Sequence, residues 1–208
     1  MSPRTYKMTQ RRAAADQTRR RILDATRKLL LQEDLSEFTM EAVARKADVS
    51  RLTVYYQFES KAGLLEALYN YIAQRGHMER LAEVFGKAGD PLETLREFIA
   101  VFAGFWASDR RVIRRLHGLG AIDLEIGSGL RKRNERRRKG LSVIVDRYSR
   151  TNPSRNALQR AEAIDTLHML TSFESFDELA NGRSVEEATG IIEKLARQAF
   201  TEKSARSR

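Results

Sequence analysis

A short stretch after residue 50 contains side chains that can hydrogen-bond to the base edges of nucleic acid. Arg51 carries a fork of donors that fits the acceptors of guanine, and Thr53 can contact a base edge or a thymine methyl group. Tyr56 can add an apolar or a hydrogen-bonding contact. Tyr55 and Tyr56, with Arg51 before them and Lys61 after them, are hard to explain as packing residues alone. An ordinary helical hairpin is the alternative, but this combination favours the binding of duplex DNA.

Two short helices must position these side chains. Thr39 can cap the first helix by accepting hydrogen bonds from its free N–H groups, and Ser50 can cap the second. Only the sequence around Asp48 separates the two helices, so they must cross at a wide angle. This is the layout of a helix-turn-helix, whose second helix usually enters the major groove. The residues expected to pack the pair are Met40, Val43, Ala44, Ala47, Val49, Val54 and Phe58.

The residues of this window also resemble a known family. The resemblance covers roughly residues 17–72 and is carried by the run from Val49 to Phe58 followed by Lys61, Leu64 and Leu65. It is to the DNA-binding domain of tetracycline-repressor-like (TetR) regulators, which often read Gly-Val-Ser, then aliphatic-Tyr-aromatic-His-Phe, then Lys-x-x-Leu. Two positions depart from this pattern, because Asp48 stands where the family usually has Gly and Gln57 where it often has His. Asp tolerates left-handed backbone and Gln keeps a polar tip that reaches phosphate, so neither departure removes the mechanism.

The resemblance implies that four side chains contact phosphates and hold the register on DNA: Thr39, Tyr55, Gln57 and Lys61. Lys61 would also stand at the start of the next helix along the chain and add its charge to the positive end of that helix. The complete predicted DNA-binding set is Thr39, Ser50, Arg51, Thr53, Tyr55, Tyr56, Gln57 and Lys61.

The formal net charge of +10 agrees with a polyanionic partner, but a basic balance also suits other classes of protein. The charge is concentrated in residues 1–30 and 131–150, which carry nine Lys or Arg each. The first group could follow the DNA backbone or minor groove, with a solvated tail as the alternative. The second group is more typical of a solvated helix face.

The periodicity predicts an all-α protein with three parts. Residues 1–15 are polar and lack periodicity, which predicts a basic disordered arm. Residues 16–75 are expected to form an N-terminal three-helix helix-turn-helix DNA-binding domain. Residues 76–208 are expected to form a C-terminal helical bundle for ligand binding and dimerisation. Glycines between residues 118 and 129 predict a flexible or tightly turned link, and one helix is expected from residue 154 to 179.

Two residue sets in the second domain are candidates for contacts beyond its own core. An aromatic stripe with two polar anchors could hold a small molecule, although such stripes are more often core: Phe102, Phe105, Trp106, His117 and His168. Apolar residues on the last helices exceed what one bundle needs and could face a second subunit: Leu167, Leu170, Phe173, Ile191, Ile192 and Leu195. The resemblance implies both the homodimer and the small-molecule effector.

We therefore interpret the chain as a DNA-binding transcriptional regulator, and most simply as a repressor. It would bind a palindromic double-stranded operator as a homodimer and leave it when an unknown effector binds. The rival within nucleic-acid binding is an architectural protein that binds all duplexes alike.

An enzyme is the rival from another class. It would use Asp123, Glu125 and Asp165 with His117 or His168, but no catalytic motif organises these side chains. No pair of histidines has metal-ligand spacing, so we expect no metal, no cofactor and no enzymatic activity. The absence of cysteine and of a long apolar segment fits a cytoplasmic protein without a membrane anchor.

Overall fold

The computed structural model describes residues 3–32, 38–87, 89–152 and 157–201. These ranges contain helices and no strand, which confirms the predicted all-α class. The helices are α1 (Pro3–Leu30), α2 (Met40–Ala47), α3 (Arg51–Phe58), α4 (Lys61–Arg75), α5 (Arg80–Gly86), α6 (Pro91–Ser108), α7 (Arg110–Ile122), α8 (Leu124–Thr151), α9 (Ala157–Leu170), α10 (Phe173–Leu179) and α11 (Val185–Thr201). No helix in this described part combines the length and apolar character needed to cross a bilayer.

The chain divides into two compact units. Unit 1 contains Met1–Tyr71 and Arg111–Gly127, and unit 2 contains Ile72–Arg110 and Ser128–Arg208. The units differ from the predicted domain bounds in two places. Residues 72–75 belong with unit 2, and residues 111–127 belong with the helix-turn-helix rather than with the second domain.

Unit 1 holds the helix-turn-helix around a small apolar core. Ile22 and Leu30 of α1, Val43 of α2, Val54 of α3 and Leu64 of α4 have no exposed surface. These residues lie at helical spacing on their own elements, so each helix buries one stripe against its neighbours. The opposite side of α3 is thereby left to solvent.

Short side chains cap the helices at the turn as the sequence predicts. The hydroxyl of Thr39 accepts a hydrogen bond of 3.1 Å from the backbone N–H of Ala42. The hydroxyl of Ser50 accepts one of 3.1 Å from the N–H of Thr53, which fixes the first turn of α3. Ser60 does the same for α4, at 3.0 Å from the N–H of Gly63. These bonds satisfy donors that the helix ends would otherwise leave open.

Asp48 makes the turn between α2 and α3 possible. Its backbone is left-handed, with φ 52° and ψ 55°, and its N–H donates to the carbonyl of Arg45 at 3.2 Å. Few residues other than Gly, Asn and Asp adopt this conformation at low cost. Asp48 therefore performs the task that the family usually gives to Gly.

The first helix starts earlier than the sequence analysis predicts. Residues 3–15, predicted to be a disordered arm, form the first turns of α1, which begins at Pro3. Nothing in residues 4–30 breaks a helix, since this range contains no Gly or Pro, and Pro3 fits the first helical position. The prediction relied on missing periodicity, which is a signal for burial and not for helix formation. Residues 1 and 2 lie outside the described ranges.

Three features of the later helices also differ from the predictions. The glycine-containing link between residues 118 and 129 is helical apart from Asp123, because Leu119 and Ile126 are buried and an internal Gly costs only about 1 kcal/mol. The expected helix from 154 to 179 is two helices, since Ser172 caps α10 by accepting from Ser175 N–H at 3.1 Å. Residues 153–156, including the expected start of that helix, lie outside the described ranges. Helix α5 was not predicted at all.

Unit 2 is built around α6. Phe98, Phe105 and Trp106 of this helix are almost completely buried, and α5, α10 and α11 pack against it. Neighbouring rings touch in series, with 4.7 Å between the centroids of Phe98 and Phe102 and 5.8 Å between those of Phe102 and Trp106. The aromatic stripe is therefore the core of the bundle.

The left-handed turn gives a direct test of the helix-turn-helix geometry. Asp48→Val should lower the free energy of unfolding by about 1–2 kcal/mol, because a β-branched side chain is strained at positive φ. Asp48→Gly should stay within about 0.5 kcal/mol of wild type, and so should the helical control Lys46→Ala. Urea unfolding monitored by circular dichroism measures all three. A valine variant as stable as wild type would contradict the turn geometry.

Candidate nucleic-acid interface

One face of α3 is exposed and the other is buried. Val54 and Phe58 point into the core, whereas Leu52 and Tyr56, at the opposite side of the helix, are 77% and 87% exposed. Arg51 is exposed and Thr53 is half-buried. Leu52 and Tyr56 lie one helical turn apart and form one exposed apolar patch beside Arg51, so this surface is suited to binding. The structure therefore brings the predicted base readers together on one surface.

Arg51 is already engaged by neighbouring groups within the protein. Its Nε lies 2.7 Å from Oε1 of Glu41, and its guanidinium lies 5.2 Å from the ring centroid of Tyr55. Its Nη2 donates a long hydrogen bond of 3.5 Å to the hydroxyl of Tyr55. The bond to the Tyr55 hydroxyl, followed by the charge of Glu41, raises the pKa of Arg51. Arg51 thus carries its full charge and is held in a defined orientation.

The rest of the predicted DNA-binding set includes three predicted phosphate contacts, Thr39, Tyr55 and Gln57, and the capping residue Ser50. Thr39 and Ser50 are exposed, although each hydroxyl already accepts a helix-capping bond. The Ser50 hydroxyl also lies 2.8 Å from the hydroxyl of Thr53, which restrains both side chains. Tyr55 and Gln57 are half-buried. An oxygen that accepts a capping bond can still donate its hydroxyl hydrogen to phosphate.

Lys61 is the first residue of α4 and follows the end of α3 closely in the chain. It is exposed, and its Nζ lies 4.8 Å above the ring of the buried Phe38. The positive end of the α4 dipole adds to its charge. This position favours an anion such as phosphate.

Helix α1 fixes the far end of α3. Nη1 of Arg19 donates a hydrogen bond of 3.1 Å to the backbone carbonyl of Gln57. The guanidinium of Arg19 lies 4.5 Å from the ring centroid of Phe58. Cations stabilise the carbonyl end of a helix. Arg19 therefore holds the end of α3, although no motif in the sequence marks it. For the N-terminal basic group, the side chains of Lys7 and Arg11 lie outside the described residues, while Arg12 is exposed on α1.

Two residues of the surface were missed by the sequence analysis. Leu52 lies one turn before Tyr56 and away from Val54, so helical spacing alone could have marked it as an exposed apolar residue. Glu41 belongs to α2, and its contact with Arg51 depends on how the two helices cross. No pattern in the sequence reveals that contact.

The predicted ligand pocket is not open in unit 2. The cavity beside Ile99, Phe102, Trp106, Thr171 and Phe176 measures about 10 Å³, which is room for roughly one water molecule. The indole Nε1 of Trp106 donates a hydrogen bond of 3.1 Å to the backbone carbonyl of Thr171. The stripe predicted to line a cleft is thus packed, and a ligand could enter only if these side chains moved apart.

The two histidines predicted as polar anchors do not share one compact unit. His117 belongs to unit 1, and His168 belongs to unit 2 with the aromatic stripe. Nε2 of His168 lies 3.1 Å from the carbonyl of Asn134 and 3.0 Å from Nη2 of the buried Arg137. Burial, and then the charge of Arg137, lowers the pKa of His168, so its imidazole is neutral at pH 7. A neutral ring beside a cation supports the bundle and does not form an anion site by itself.

A larger concave region in unit 2 is a groove of about 580 Å³ between α6 and α11. Its rim is charged, unlike the aromatic stripe that is predicted from the sequence to hold a small molecule. The charged residues that line it are Asp90, Glu93, Arg96, Glu193, Lys194 and Arg197.

The structure corrects most of the predicted dimer interface. Leu167, Leu170, Phe173 and Ile192 are buried within the chain itself, so they cannot contact a second subunit without rearrangement. Their apolar character is explained by the packing among α9, α10 and α11. Ile191 is half-buried and Leu195 is 41% exposed, so these two remain accessible.

Two of the three carboxylates that an enzyme would need have structural partners. Oδ1 of Asp123 accepts bonds from the N–H groups of Glu125 and Ile126 and thereby caps α8, while Asp165 pairs with Arg138. Among the described residues, no group of three or more His, Cys, Asp or Glu could hold a metal ion.

Comparison with known proteins agrees with this geometry. Residues 22–68 match the family model described as bacterial regulatory proteins, tetR family. The HTH-type transcriptional regulator AlkX of Mycobacterium tuberculosis is 35% identical over 103 residues, which are 50% of this chain and 49% of that protein. The HTH-type transcriptional regulator SrpR of Pseudomonas putida is 38% identical over 65 residues, 31% of this chain and 29% of that protein. The chain thus spans about half or less of the length of these relatives.

Solved structures extend the likeness to the whole fold. NalD of Pseudomonas aeruginosa, described as the secondary repressor of the MexAB-OprM multidrug efflux pump, superimposes with a TM-score of 0.68. The alignment covers 89% of this chain and 96% of that chain at 20% sequence identity. Residues 22–68 are thus similar to the helix-turn-helix part of tetR-family regulators, and the fold of the chain is similar to that of NalD.

Substitutions on the exposed face of α3 should change sequence selectivity, whereas substitution of a phosphate contact should change the affinity for all DNA. Leu52→Ala and Tyr56→Ala should lower the ratio of affinities for a selected duplex and a random duplex, because they remove contacts with base edges. Lys61→Ala should weaken the binding of both duplexes to the same extent. It should also reduce the slope of log affinity against log salt concentration by about one. Fluorescence anisotropy at several salt concentrations measures both effects. Unchanged selectivity in the Leu52 and Tyr56 variants would refute the assignment of this face.

Proposed function

We propose that the protein is a DNA-binding transcriptional regulator that binds a palindromic operator as a homodimer. In the simplest form of the proposal it is a repressor, and a small molecule bound in unit 2 releases it from DNA. The observation that carries the proposal is the exposed face of α3, where Arg51, Leu52 and Tyr56 are presented to solvent beside the cationic Lys61. A helix presented in this way fits the major groove.

The short length of α3 is the reason to propose a dimer. Helix α3 has eight residues and its exposed face can contact only a few base pairs. Two copies on a two-fold symmetric site are needed for useful specificity, at a spacing of about 34–36 Å or a multiple of it. The names of the relatives support the regulatory part of the proposal, because AlkX and SrpR are named transcriptional regulators and NalD is described as a repressor.

The accessible side of α9 and α11 is the proposed dimer surface. Leu195 of α11 and Met169 near the end of α9 are exposed, and Ile191 lies one turn before Leu195. Helices that pair in this way with their symmetry mates form a four-helix contact. This surface replaces the buried residues of the original prediction.

Leu195→Glu should give monomers that have lost most of their affinity for the operator, because a charge would be buried in the contact. Arg197→Gln is a matched control, since it makes the same change in net charge on the opposite side of α11 and should remain dimeric. Light scattering at micromolar concentration measures the mass of each variant. A monomeric wild type, or a dimeric Leu195→Glu variant, would contradict the proposed surface.

The effector is proposed to open the packed aromatic region of unit 2. Its cavity is too small for a ligand as it stands, so binding would favour a second arrangement of the bundle. A coupling of roughly 1–3 kcal/mol is enough to change DNA affinity by about 5- to 150-fold. The wall of Phe102 and Trp106 favours a largely apolar molecule with one polar group.

Trp106 gives a direct probe of this switch because it is the one tryptophan of the chain. In a screen of such compounds, an effector should change the Trp106 emission with the same affinity at which it releases DNA. By linkage, DNA should weaken its binding by the same factor. If Trp106→Phe combined with Phe102→Ala preserves folding, ligand affinity and release, the effector binds elsewhere. If no compound changes DNA affinity, unit 2 serves assembly alone.

An architectural binder without a ligand switch remains the second candidate, favoured by the net charge of +10. It would bind every duplex with similar affinity and a steep salt dependence. A selection of bound duplexes from a random pool distinguishes the two. A recurrent half-site supports the regulator, and a pool without enrichment supports the architectural binder.

A further inference from the structure

Glu41 places a negative charge beside the main candidate base reader. Its Oε1 lies 2.7 Å from Nε of Arg51, and the two side chains are 45% and 61% exposed. The contact links the second residue of α2 to the first residue of α3. An acidic group at this place opposes the approach of phosphates, so a protein that only needed positive charge would gain by omitting it.

Stability does not explain the pair. Ion pairs between exposed side chains contribute little to folding, because water screens them and two long side chains lose freedom. The fold also has other means to hold α3, namely its buried residues Val54 and Phe58 and the bond from Arg19 to the carbonyl of Gln57. The consequence that remains is the orientation of Arg51.

The geometry of the pair determines which edge of the guanidinium is available. An arginine can contact guanine side-on, with Nε and one Nη, or end-on, with both Nη groups. Glu41 occupies Nε, so only the end-on edge is left. The ring of Tyr55 at 5.2 Å and its hydroxyl at 3.5 Å from Nη2 restrict the side chain further. A long side chain that is held in this way loses less rotamer freedom when it binds.

We propose that Glu41 is a positioning residue, which holds Arg51 for an end-on contact with guanine and at the same time weakens binding to random DNA. Each half-site should accordingly contain one guanine whose N7 and O6 are contacted by Arg51. This inference rests on the proposed function, since it assigns specificity within the same DNA-binding surface.

The test uses the full chain and a duplex selected from a random pool. Each guanine of the duplex is replaced in turn by 7-deazaguanine, which lacks the N7 acceptor, and affinities are measured by anisotropy. Wild type should lose about tenfold at one guanine per half-site, and Arg51→Ala should lose this sensitivity. Glu41→Ala should reduce the same loss to about twofold, while its affinity for random duplex rises about two- to fivefold.

Glu41→Gln separates positioning from charge. Its amide oxygen still accepts a bond from Nε, so the sensitivity to 7-deazaguanine should return, whereas the affinity for random duplex should stay raised. Glu125→Gln is a charge-matched control on α8, because Glu125 is exposed and lies outside the helix-turn-helix. It should keep the wild-type sensitivity to guanine. Circular dichroism checks that each variant is folded.

Two results would overturn the inference. Glu41→Ala could keep the wild-type sensitivity to guanine, which would show that the pair does not orient Arg51. Alternatively, Glu41→Ala and Glu125→Gln could lose that sensitivity equally, which would show that net charge alone matters. A wild type that binds selected and random duplexes alike would instead refute the proposed function itself.

Discussion

The packing of α3 through Val54 and Phe58 is the constraint on which the proposed DNA-binding surface depends. These two residues are one helical turn apart, and burying both fixes the rotation of α3 about its axis. Once that rotation is fixed, Leu52 and Tyr56 must face solvent, and Arg51 must lie beside Glu41. The left-handed Asp48 and the capping serine define where the helix begins. The core beneath α3 therefore determines which of its side chains face solvent.

The sequence was sufficient for the parts of this site that depend on local rules. Helix caps at Thr39 and Ser50, the tolerant residue at position 48 and the buried pair Val54 and Phe58 all follow from spacing and side-chain chemistry. The contact between Glu41 and Arg51 did not follow, because it joins two helices at an angle that no local rule specifies. Leu52 was overlooked although its position opposite the core stripe was visible in the sequence.

The second unit illustrates why apolar patterns are poor guides to binding surfaces. The same aromatic stripe fits a ligand cleft and a packed core, and only the partners decide between them. In the structure the rings of α6 meet one another and Phe173, and the indole of Trp106 bonds to Thr171. Similarly, four residues predicted for the dimer contact are buried in the core of the chain itself. The break between α9 and α10 was missed for a related reason. Ser172 caps α10 within a segment whose residues, taken alone, predict one continuous helix.

The central claim is that the exposed face of α3 reads base edges in two symmetric half-sites. Hydroxyl-radical footprinting combined with methylation interference at guanine N7, on a duplex selected by the full chain, tests it most directly. The account predicts two protected half-sites on one face of the duplex, with centres about 34–36 Å apart or a multiple of it, and interference at guanines in the major groove. Uniform protection along the duplex without interference at any guanine would contradict it.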